Sequence, residues 1–201
     1  MKNSTIQFLF SVFIIILIAS TRLLPHTDNF VPVFAMLLFA SVHLKNKWQA
    51  ISISIGALWF SDLYINNWGS SAIFFDTYDP VTGELLVDNF IFVSSPFNYL
   101  SYILIALIGM QIFKKTISIP KVFGSSLLVG VIFFIVSNFG VWINPYYTKT
   151  LWTCYIEAIP FFRATLTSNV FFSAILFGGY YAVQKKNLIL KPKNFTYSFD
   201  A

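Results

Sequence analysis

The sequence predicts an all-α fold, a polytopic membrane bundle of six transmembrane helices forming one domain over residues 1–201. Three observations carry that prediction. Hydrophobic residues make up 57% of the chain and charged residues 10%, which leaves too little polar side chain to wet the surface of a soluble core. Six apolar stretches approach the roughly 20 residues a helix needs to cross hydrocarbon. The lysines cluster in alternate loops, as they do where one face of a membrane is cytoplasmic.

The stretches run at about 6–22, 29–45, 48–68, 89–113, 120–144 and 163–184. The first follows Lys2 as a secretory signal would, but "IASTR" is a poor cleavage site and the text beyond it is again membrane-like, so it reads as a retained span. The second and fourth open on "DNFVPV" and "DNFIFV", where Asp and Asn are ordinary helix N-caps. Pro96, mid-pattern in the fourth, removes a backbone hydrogen bond and predicts a kink. The fifth contains no polar side chain from Leu127 to Ile135 and then turns polar at Ser137 and Asn138. The sixth is entered through Thr165, Ser168 and Asn169. Two longer segments, 69–88 and 145–162, connect spans on the same side, and Phe (24 copies), Tyr (10) and Trp (5) supply lipid-facing surface and interfacial belts.

Alternation of six spans puts ten lysines (Lys2, Lys45, Lys47, Lys114, Lys115, Lys121, Lys185, Lys186, Lys191 and Lys193) on one side and Arg22, Lys149 and Arg163 on the other. Acidic residues take the opposite distribution, only Asp200 lying with the lysines. A multi-pass protein of the plasma (bacterial inner) membrane with both termini cytoplasmic follows. The net charge of +5 is then a consequence of topology and not a nucleic-acid surface, and the partners implied are membrane lipid and whatever the outer face recognises.

Inside a bilayer an amide or carboxylate faces protein or a watery cavity. Asp62 and Asn138 each lie about six residues from the outer end of their spans, roughly 9 Å deep at 1.5 Å per residue. Asn98 is expected somewhat deeper, and Asn169 enters from the same side. Trp59 shares a helix face with Asp62, and Trp142 shares one with Asn138. Four helices thus offer polar stripes that open outward, and they are expected to line a cavity entered from outside. Interhelical hydrogen bonding by the same amides is the competing reading. Asn29, at the outer mouth of the second span, is either a rim contact or an N-cap. Segment 145–162 predicts a short amphipathic helix, with Trp152, Tyr155, Ile156 and Ile159 on one face and Thr150, Thr153, Cys154 and Glu157 on the other, ended by Pro160. It either covers the cavity mouth, turning Glu157 toward water or into the site, or anchors passively in the interface. Arg163 is the expected partner of Asp62 or of an anionic ligand, an interfacial arginine being the alternative.

Chemistry is expected to be absent. The sequence has no HExxH, GxSxG, Walker loop or CxxC pair, and its histidines, His26 and His43, stand apart. Cys154 is the only cysteine. Asp76 and Asp79 read as a solvated acidic loop. No enzyme, metal or cofactor is expected, and without Walker motifs the chain cannot itself drive a pump with ATP.

The segments "RLLPHTDNFVPVFAMLLFA" (22–40), "SDL" (61–63), "FFIVSNFGVW" (133–142) and "CYIEAIPFFRATLTSNVFFSAILFG" (154–178) resemble a family of small bacterial membrane proteins of unknown function labelled only as transport proteins. The resemblance covers most of the chain. Two features depart from it: Ala40 and Ser41 replace a glycine-rich end to the second span, and Asn169 replaces an acid. More distantly, the layout is similar to that of the S components of energy-coupling-factor vitamin transporters, which implies a ligand pocket in the outer half and an energising transporter module as partner. The Ala-x-x-x-Ala docking pattern of those proteins is missing from span one. The expectation is a subunit that binds a small polar solute of vitamin or nutrient class through Asn29, Asp62, Asn98, Asn138 and Asn169, with Trp59 and Trp142 stacking and Glu157 and Arg163 near the mouth. The rival expectation is a non-transporting scaffold or assembly protein of an envelope complex.

Overall fold

The computed structural model describes residues 2–23, 29–43, 47–67, 92–93, 95–145, 147–185 and 196–198. Seven α-helices occur among them: α1 (Lys2–Ser20, continued by a 3-10 turn, Thr21–Leu23), α2 (Val33–His43), α3 (Lys47–Asn67), α4 (Pro96–Ile112), α5 (Ile119–Trp142), α6 (Leu151–Glu157) and α7 (Ile159–Lys185). The fold is therefore an all-α bundle. Of the two segments expected to be external, 145–162 lies among the described residues apart from Tyr146, and 69–88, with Asp76 and Asp79, lies outside them.

Among the described residues two helices are long and apolar enough to cross a membrane, Ile119–Trp142 and Ile159–Val183. The α3 helix has 21 residues, but Ser52, Ser54, Ser61, Asp62, Asn66 and Asn67 interrupt its apolar character. The expected second span contracts to 11 helical residues, roughly 16 Å at 1.5 Å per residue and too short to cross alone. Pro32 is the physical reason: proline disfavours helical backbone in the residue before it, and the helix opens with Met36 N–H donating to the Pro32 carbonyl at 2.9 Å.

What α2 lacks in length it makes up in contact. Every residue from Val33 to Val42 is buried, because α1, α3, α4, α5 and α7 all pack around it. Phe34 and Phe39 carry the aromatic part of that core. Phe34 meets Phe133 of α5 at 4.5 Å and Tyr102 of α4 at 6.1 Å between ring centroids. Phe39 meets Phe177 and Tyr180 of α7, and His43 stacks on it at 3.9 Å.

Proline again sets a boundary in α4. Pro96 does not kink a span; it occupies the first turn of the helix behind the N-cap Ser95, where its missing N–H would have had no partner anyway. Residues 92–93 are not helical, so the fourth expected span begins late and Asn98 falls in the first turn of α4 rather than deep within it. Pro160 likewise opens α7 instead of ending α6, whose C-cap is Ala158.

Close approaches fix the helix order. Gly109 of α4 faces Ser41 of α2, with no room for a Cβ, and a Cβ on Gly140 of α5 would meet the Phe97 side chain at 2.5 Å. Gly130 of α5 lets Leu166 and Asn169 of α7 come near, a Cβ there meeting Leu166 Cδ2 at 2.7 Å; small residues at such seams are how helices in lipid gain packing. The contacts also sort the ends of the bundle. The ends of α1, α3 and α5 meet the starts of α4 and α7 at one end, and the opposite end carries Lys47, Lys114, Lys115, Lys121 and Lys185. There Thr116–Ser118 pairs in parallel with Thr196–Ser198, two short strands that no sequence pattern announced. This pairing holds the C-terminal tail at the lysine-rich end.

Substitution of Gly109 by valine should push into Ser41 and lower stability by roughly 1–3 kcal/mol, the usual cost of overpacking. Gly124→Ala, facing open space, should leave thermal unfolding in detergent unchanged.

Candidate functional site

At the end of the bundle away from the lysines, two adjoining cavities share Asn29, Phe133 and Thr165 as common wall. The larger, about 180 Å³, is completed by Ser137 and Asn138 of α5 and by Phe134, Ala158, Phe161 and Phe162. The smaller, about 150 Å³, is completed by Arg22, Asn98, Phe34, Tyr102, Val31 and Val33. Carboxamides from three different segments thus line the two adjoining cavities, Asn138 the larger, Asn98 the smaller and Asn29 both.

Local chemistry explains how each is held. Asn29 adopts a left-handed backbone, φ 59°, which asparagine tolerates better than most residues because its short side chain bonds locally. It is therefore a turn residue rather than a helix cap, and its carbonyl lies 3.4 Å from the Ser168 hydroxyl of α7. Ser137 and Asn138 donate back to the carbonyls of Phe133 and Phe134, at 2.6 and 2.8 Å. Such back-bonding satisfies the Ser137 hydroxyl and one of the two Asn138 Nδ2 hydrogens in an apolar helix. It leaves the second Nδ2 hydrogen and the side-chain oxygen of Asn138 with capacity to donate and accept at the cavity wall.

Beside the smaller cavity sits the one buried ion pair among the described residues. Arg22 Nη2 lies 2.6 Å from Asp62 Oδ1, with side chains 15% and 8% exposed. Tyr99 O–H donates to Asp62 Oδ2 at 2.7 Å, and Arg22 Nη1 donates to Ser61 Oγ at 2.8 Å. The partner of Asp62 is thus Arg22 and not Arg163. The reason is position: the 3-10 turn after α1 brings Arg22 against α3, whereas Arg163 lies on the exposed side of α7. Arg22 was legible as a cation closing the first apolar stretch, but which helices touch was not.

The remaining expected site residues fall outside both cavities. Asp62 is spent on Arg22 and Tyr99. Trp59 packs on Phe60 and Phe92 and donates its indole N–H to the Phe92 carbonyl at 3.0 Å. Trp142 leans on Phe139. Asn169 is fully buried between α5 and α7, donating to the Ser126 carbonyl at 3.3 Å, while its Oδ1 has no partner. Glu157 turns to water, where Lys149 meets it at 2.6 Å.

The α6 helix is pinned over α5 by its other face. Cys154 is buried with Sγ 3.5 Å from the Asn138 backbone carbonyl, and Tyr155 O–H donates to the Ile135 carbonyl at 2.7 Å. Burial, with Cys154 alongside, pushes the Tyr155 phenol above its ordinary pKa and keeps it a donor. Trp152 and Ile156 project outward, 77% and 63% exposed. The expected apolar face is therefore divided, Tyr155 holding α5 and the others facing away.

A family model described as a family of unknown function (DUF6580) matches residues 2–193. No curated protein and no solved structure matches the chain.

Removing one member of the ion pair strands a buried charge, so Asp62→Ala should cost roughly 3–5 kcal/mol. The double variant Arg22→Met/Asp62→Leu should cost less than the sum of the single changes. Arg163→Ala should change stability by no more than about 0.5 kcal/mol. Chemical denaturation of the purified variants reads all three.

Proposed function

Since the chain belongs to DUF6580, a family of unknown function, we propose its role from the site itself: it is a membrane protein that binds a small polar solute from outside, a solute-binding transporter subunit of S-component type. One observation carries the reading, the convergence of Asn29, Asn98 and Asn138 on adjoining cavities at the end of the bundle remote from the lysines. By the positive-inside rule that end is the outer one. Six crossings of the bacterial inner membrane with cytoplasmic termini complete the proposed topology; α2 contributes as a buried core helix framed by less regular chain.

In this reading Asn29, Asn98 and Asn138, with Ser137 and Thr165, hydrogen-bond a solute of vitamin or nutrient class. Phe133 and Phe134 flank it, Asp62 holds Arg22 in place, and α6 with Phe161 and Phe162 forms a lid. Opening requires only that the Tyr155 and Cys154 contacts to α5 let go, and no covalent step is involved. An energising module from another chain would supply the work, since this sequence has no nucleotide-binding motif.

The scaffold reading has an observation of its own: Asn169 bonds α5 to α7, and Ser137 and Asn138 each donate to a carbonyl within α5. Native mass spectrometry of gently purified protein separates the two. A non-lipid small molecule that co-purifies, and is lost in Asn138→Leu while the variant keeps the unfolding temperature of wild type stripped of that molecule, is the expected result. A stoichiometric protein partner with no small molecule would overturn the solute reading.

A further inference from the structure

Resting on the proposed solute site, the geometry points to the class of its ligand: an uncharged, planar ring compound with amide-type edges. Charge decides the first part. Among the described residues the only ionised group in the cavity walls is Arg22, and its charge is already met by Asp62 at 2.6 Å and its second terminal nitrogen by Ser61. An anionic ligand would have to share an arginine already committed or lie unpaired against phenyl rings. Among the described residues a cation would find no free carboxylate, because Asp62 is turned to Arg22 and Tyr99 and lines neither cavity. Uncompensated charge in such a setting is strongly disfavoured.

Shape decides the second part. Phe133 stands between the two cavities, its ring parallel to Tyr102 (interplanar angle 5°) with centroids 6.3 Å apart, while Phe34 closes on Phe133 at 4.5 Å. On the other side Phe134 packs against Phe162 at 4.5 Å. A flat π-system matches walls made of ring faces and edges, whereas a puckered ring loses that contact. The polar rim supplies the third part. Carboxamides present a donor and an acceptor side by side, and they pair best with a ligand edge that does the same.

Uracil, orotate and dihydrouracil probe the three parts separately. Uracil is neutral and flat with amide edges; orotate adds a carboxylate to the same ring; dihydrouracil keeps the edges but loses planarity. Saturation-transfer NMR on the full-length protein in nanodiscs, at millimolar probe, should show uracil binding that Asn138→Leu and, independently, Asn98→Ala abolish or weaken. Orotate should bind at least about tenfold more weakly, and dihydrouracil several-fold more weakly. Orotate binding as well as uracil would overturn the neutral assignment, and dihydrouracil binding equally would overturn the planar one. Uracil binding undiminished in both variants, or no binding of any probe, overturns the assignment as a whole. The solute reading itself fails on a different result, the absence of any co-purifying small molecule.

Discussion

Arg22 and Asp62 set the condition under which the cavity-bearing end of this bundle can exist. A lone carboxylate one or two turns inside a span, or a lone guanidinium beside it, would carry a desolvation cost that packing could not offset. Brought to 2.6 Å and joined by Tyr99 and Ser61, the two charges cancel locally and tie the turn after α1 to α3 and α4. That tie places Arg22 in the wall of the smaller cavity while leaving it without net charge to offer. The space that remains is bounded by amides, hydroxyls and phenyl rings, a combination suited to hydrogen bonding without ion pairing.

A second constraint acts from the middle of the molecule. The α2 helix is short because Pro32 delays its start, and buried throughout because five helices surround it. Its rings hold α4, α5 and α7 at the separations the cavities need: Phe34 spans from Tyr102 to Phe133, and Phe39 reaches Phe177. Where rings are not the spacers, missing side chains are. Gly130 lets α5 and α7 approach so closely that Asn169 can bond across their seam, while Gly109 and Gly140 allow the same closeness between α4 and α2 and between α5 and α4. The cavities therefore occur where rings prop the helices apart, and the dry seams occur where glycine and serine let them close.

Much of this was legible locally. The α5 and α7 helices match their expected spans to within a few residues, because long unbroken apolar runs leave little choice. Ser137, Asn138 and Thr165 declared themselves as polar groups out of place in hydrocarbon. Boundaries set by Pro32, Pro96 and Pro160 were misjudged because each proline admits two readings, break or first turn, and only the neighbouring packing selects one. The partner of Asp62 was missed for another reason. Depth along a helix is a one-dimensional quantity shared by Arg22 and Arg163, whereas pairing depends on which faces meet. The strand pair 116–118 with 196–198 joins segments about 80 residues apart and has no local signature. Of the expected amides, Asn169 proved to join helices, and the cavity walls went to those at helix ends and turns.

The account turns on access to Asn138 from the outer side. The decisive measurement is the reactivity of Asn138→Cys, in a Cys154→Ser background, with a small membrane-impermeant methanethiosulfonate applied to intact cells. Modification from outside, without permeabilisation, is the predicted result. Modification only when the reagent is admitted to the cytoplasm would contradict the account, as would a thiol that stays inert from both sides in a protein shown to be folded.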